Sequence, residues 1–179
     1  MPNIIGRKWG SSELGTAGGT VTWSLAGAGE DISRFSVGSG LSTTGDTFLD
    51  YDYAQVIADA FAEWSKHGDI EFEQVEDGGG AAGASHDADI RIFFGAIPGG
   101  TAGFAFYPSA FGSAIAGDIL LDTISKFNTD PVLFFNLVLH EIGHALGLGH
   151  VSSNSIMTPT VKKIGRCVMT SGNLFVSKT

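Results

Sequence analysis

Cysteine is nearly missing from this chain: Cys167 stands alone, so no internal disulfide can form, and its place in a polar tail gives no sign of a nucleophile. Positive charge is scarce too. Lys and Arg number 10 against 19 Asp and Glu, for a formal net charge of -9. That balance argues against a grip on phosphate backbones, which needs clustered cations to displace counterions, so nucleic acid is not an expected partner. No apolar run reaches membrane-spanning length, and Met1 to Gly10, which carries Arg7 and Lys8, holds no apolar stretch of signal-peptide length. The expectation is a soluble protein without a membrane partner, whose export route is not written here.

What is present is apolar and glycine-rich. Hydrophobic residues make up 43% of the 179 and charged ones only 16%, with 26 glycines. This composition describes a loop-rich globular protein, long enough to bury a core by itself. A single domain over 1–179, acting as a monomer, is expected.

Periodicity places the elements. Thr20 to Leu25, Ile70 to Val75 and Asp89 to Phe94 alternate polar and apolar residues and read as strands; Gly103 to Tyr107 and Asp118 to Asp122 are shorter strand candidates amid loops. Asp52, with Gln55 three residues on, caps a helix that places Ile57, Phe61 and Trp64 on one face and stops at Gly68. Asp130-Pro131 is a second helix start, and the nearly all-apolar run from Val132 to Leu148 predicts a buried helix. The fold class is α/β (α+β), with a mixed sheet covered by both helices.

Two histidines and a glutamate inside so apolar a helix need a reason. His140 and His144, four residues apart, project from one face and can aim at one ion. Gly147 lets the chain turn, and His150 can return as a third ligand. Three imidazoles with an open fourth position describe a catalytic zinc site, whereas a structural one closes its shell, usually with cysteines. Glu141, on the adjacent face, is placed to act on a metal-bound water as general base.

The segment His140 to His150 resembles the metzincin signature His-Glu-x-x-His-x-x-Gly-x-x-His, and Ser155-Ile156-Met157 resembles the methionine turn that follows it. The resemblance covers roughly 20–159, with 160–179 as an atypical tail, and implies a twisted five-stranded mixed sheet packed with two long helices, the second carrying the motif. It makes Met157 the floor beneath the zinc, although a core methionine filling a gap would pack alike. Ala88 to Ile92, Thr101 to Pro108 and Gly117 to Asp122 are similar to matrixin strands, while Lys8-Trp9-Gly10 and Val21 to Ser24 are closer to serralysins.

Carried over residue by residue, the resemblance makes Asp118 and Asp122 candidate calcium ligands, solvated turn carboxylates being the alternative. Phe104, Ala105 and Phe106 become an edge strand beside the cleft, with core packing as the other reading of the rings, and Pro159 a wall of the specificity pocket. No second zinc is expected, because only His67 and His86 remain unassigned. Nor is there a serralysin tyrosine after Met157, an upstream zinc-blocking cysteine, or helical periodicity from Val161 to Thr179.

The function so implied is a secreted, extracellular zinc endopeptidase acting on polypeptides. The alternatives are a catalytically impaired, zinc-stabilised binding module and a zinc hydrolase of non-peptide amides or esters.

Overall fold

The computed structural model describes residues 3–161 apart from 6–7, 12, 14, 38–39, 85–87, 109–112, 125–128 and 153–154. His86, Cys167 and the tail beyond Val161 lie outside the described residues. In chain order the elements are β1 (Asn3–Ile4), β2 (Gly19–Leu25), α1 (Tyr53–Ser65), β3 (Ile70–Gln74), β4 (Ile90–Gly95), β5 (Gly103–Ala105), β6 (Ile119–Asp122), α2 (Pro131–Ala145) and β7 (Leu148–Gly149). Five strands form one sheet in the order β3-β2-β4-β6-β5, and β1 pairs with β7 in a separate small ribbon.

Neighbours are parallel across β3, β2, β4 and β6; β5 alone runs antiparallel, along the β6 edge. The order follows from burial. β4 is buried at all six positions, as a parallel strand covered on both faces must be, whereas β3 carries Glu71 and Glu73 outward and takes the opposite edge. Alternation along β4 and β6 sends Ile92, Phe94, Ile119 and Leu121 toward the helices and Phe93 and Leu120 to the other side, where Ile32, Phe35 and Ile97 close a smaller core.

Both helices start where their caps predict. Asp52 accepts from the Gln55 N–H and Asp130 from the Leu133 N–H, each occupying a donor that the first turn leaves without an intrahelical partner. α1 ends at Ser65, before Gly68. The helices are joined by the Trp64 indole, which donates to the Leu139 carbonyl at 3.0 Å from the middle of α2. Trp23 stacks on Phe61 with ring centroids 4.5 Å apart and fastens α1 to the sheet.

The edge strand differs from the sequence expectation, ending at Ala105 rather than Tyr107. Phe106 still exchanges backbone bonds with Asp118 and Gly117, but the chain has begun to turn away ahead of Pro108. On the face away from the helices, Arg91 lies fully buried between Glu30 and Asp77 and also donates to the Gly80 carbonyl, pinning the glycine-rich 77–83 loop to β4. Burial works against the Asp77 carboxylate, yet the Arg91 and Ser24 donors outweigh it and hold that carboxyl below its usual range. Arg91→Leu strands both acids inside the protein and is expected to cost about 3–5 kcal/mol, read from urea unfolding.

Candidate metal centre

Helix geometry gives His140 and His144 a common direction, and carbonyl acceptors finish their aim. His140 Nδ1 lies 2.6 Å from the Ile156 carbonyl and His144 Nδ1 lies 2.7 Å from the Leu148 carbonyl. A carbonyl only accepts, so each Nδ1 carries the proton and each Nε2 presents a lone pair. The chain then bends at Gly147, whose φ of 96° is a left-handed value that costs glycine little, and His150 swings back.

The three Nε2 atoms stand 3.1, 3.1 and 3.3 Å apart. His140 and His144 cannot hydrogen-bond to each other there, because neither Nε2 bears a proton. Lone pairs facing one point instead match a shared cation: tetrahedral bonds of about 2.05 Å would set the nitrogens ~3.3 Å apart. Among the described residues this is the one His/Cys/Asp/Glu trio whose ligand atoms converge. Zinc fits the donor set, three nitrogens without a thiolate to close the shell.

Protonation points the same way. Burial, helped by the neighbouring imidazoles, pushes His140 down to about 4, and burial lowers His144, so both imidazoles are neutral at neutral pH and able to offer a lone pair. Burial alone pushes Glu141 up to about 8, and a positive charge nearby would favour its ionised form. Its carboxylate sits hard against β5: a Cβ on Gly103 would stand 2.6 Å from Glu141 Oε1, so only glycine leaves the acid that room.

Met157 is buried beneath α2, where Gly143 lacks the side chain that would collide with its sulfur. The turn does more than fill space. Its Ile156 carbonyl orients His140, and the Met157 carbonyl accepts from the Val151 N–H next to His150. Phe104 and Phe106 lean on each other and on Phe35, away from the helices, while Ala105 faces the main core. Pro159 lines the same cleft as the histidines, together with Leu133 and Leu137.

Asp118 and Asp122 are both buried and both hold backbone: Asp118 Oδ2 accepts from Gly83 and Asp122 Oδ1 from Ile97. Tyr107, read in the sequence only as the end of a strand candidate, stands edge-on to His144 with centroids 5.6 Å apart, its phenol pushed up by burial and by the Glu141 charge. Sequence reasoning also missed the Leu148 and Ile156 carbonyls. No residue type marks such acceptors; the signal is their offset from the histidines.

Burial pushes the Asp118 carboxyl up to about 6 from an ordinary 3.8, so the folded chain holds that proton more tightly than the unfolded one. The group therefore favours folding most at acid pH, and its contribution falls as pH rises from about 4 to about 6. Asp118→Asn, which keeps an acceptor oxygen for Gly83, is expected to gain roughly 2–3 kcal/mol at about pH 7.5 and nothing at about pH 4. Thermal melts of chelator-treated protein at the two pH values check this.

The sequence matches the matrixin family model (Peptidase_M10) over residues 40–171. Matrilysin from Rattus norvegicus is 32% identical over 170 residues, 89% of this chain and 52% of that protein. Matrix metalloproteinase-25 from Mus musculus is 32% identical over 157 residues, 78% of this chain but 22% of its own length. Metalloendoproteinase 1 from Glycine max is 28% identical over 155 residues, covering 74% and 47%. The chain thus spans about half or less of these relatives.

Proposed function

The chain belongs to the matrixin family, and from that membership together with the three convergent imidazoles we propose that it is a zinc-dependent endopeptidase acting on extended polypeptide segments. The observation that carries the reading is the set of Nε2 lone pairs 3.1–3.3 Å apart, with the Nδ1 protons of His140 and His144 committed to main-chain acceptors. His140, His144 and His150 would hold the zinc, which when bound would supply Lewis acidity for a substrate carbonyl and for water.

The protein's own groups do the rest. Glu141 takes the proton of the attacking water on a carboxylate oxygen and returns it to the departing amine. Gly103 keeps that oxygen in place by having no side chain to displace it. Among the described residues β5 is the last strand of its sheet, so a substrate backbone can pair with the outer edge of Gly103 to Ala105 as an added strand. In this reading Phe104 and Phe106 stiffen that edge from behind, and the residue after the scissile bond enters the apolar space between Leu133, Leu137 and Pro159. The matched relatives named as matrix metalloproteinases support an extracellular setting. Among the described residues, no helix is long and apolar enough to cross a membrane.

Two variants test the assignment. Glu141→Ala is expected to keep zinc while hydrolysis of an unfolded protein substrate falls by roughly 10²- to 10⁴-fold. Undiminished turnover would remove Glu141 from the chemistry. Gly103→Ala is expected to lower kcat by about 10²-fold, the scale of loss for a reacting group displaced by an ångström, with zinc still bound. Steady-state kinetics beside metal analysis reads both.

A further inference from the structure

The run from Ala145 to Gly149 joins the second imidazole to the third, and part of its backbone is held by Asn3 to Ile5 and by Trp9. The Ala145 carbonyl, which helix geometry leaves open at the end of α2, accepts from the Trp9 indole N–H at 2.8 Å. The Gly147 carbonyl accepts from the Ile5 N–H at 2.9 Å. Leu148 and Gly149 pair antiparallel with Ile4 and Asn3. Gly149 admits the partner closely, since a Cβ there would stand 2.6 Å from Ile5 Cδ1.

The same run orients both histidines. Leu148 presents its carbonyl to His144 Nδ1, and one residue after β7 the chain delivers His150. A shift of this ribbon therefore rotates one imidazole and translates another. Ile4 and Ile5 remain 54% and 46% exposed, so apolar burial does little at those two residues, while Trp9 and Leu148 pack against the main core. Directional hydrogen bonds to the Ala145 and Gly147 carbonyls and along the β1–β7 pair set where the run sits, and with it the geometry of the histidines.

We propose that Asn3 to Ile5 together with Trp9 form a brace for the metal centre, with Trp9 as its chief positioning residue: its N–H fixes the end of α2 and thereby the placement of His144 and His150. The inference rests on the reading that these histidines hold zinc. Contacts just outside a ligand shell commonly alter metal affinity 10- to 100-fold, and the brace belongs to that class.

The experiment compares the full chain with two variants. Trp9→Phe keeps the ring and removes the donor; Ile5→Pro removes the N–H that reaches Gly147. Zinc affinity is measured by competition with a chromogenic chelator, and thermal unfolding of the metal-free proteins is followed in parallel. Expected is a zinc Kd raised about 10-fold in each variant, with metal-free melting within a few degrees of wild type and KM for a peptide substrate unchanged. A merely structural role would lower the melting temperature and leave Kd alone. Zinc affinity within twofold of wild type in Ile5→Pro overturns the brace, even if Trp9→Phe fails to fold. Wild-type protein that binds no zinc overturns the parent reading instead.

Discussion

The tautomer of two histidines is the constraint on which the rest of this protein turns. Because carbonyl oxygens can only accept, the Leu148 and Ile156 carbonyls fix a proton on each Nδ1 and leave each Nε2 as a donor of electrons. Those carbonyls come from separate segments, one from the ribbon after α2 and one from the turn before Met157. The centre is thus assembled from three parts of the chain, with α2 supplying two of the imidazoles and Glu141.

Why α2 is so apolar follows from the same arrangement. It runs beneath the sheet, tied by Trp64 and flanked by Met157, and its residues from Phe134 to Ala145 are all buried. Burial there strips water from the imidazoles and from Glu141 alike, keeping the former neutral and raising the proton affinity of the latter. A solvated helix with the same spacing would carry the ligands without that tuning.

Legibility in the sequence tracked locality. The His140 to His150 spacing, the Asp52 and Asp130 caps and the alternation of β2, β3 and β4 are relations within a few residues, and each could be read directly. The bond from Trp9 to Ala145 spans 136 positions, and the close approach of Gly103 to Glu141 spans nearly forty; neither leaves a local pattern. β1 and β7 are only two residues each, too short for periodicity to register. The buried state of Asp118 was hidden for another reason. Acidic residues beside short strands are usually solvated, and only the loop folding back through Gly83 encloses this one.

Arg91 carries a consequence of its own. At the far side of the sheet it gathers two carboxylates and a carbonyl, much as a hard cation gathers oxygen. Unlike an ion it cannot exchange, and its guanidinium stays charged at any pH the fold survives. The positive charge that organises that corner is covalently part of the polymer, so dilution or a competing ligand in the surroundings cannot strip it away.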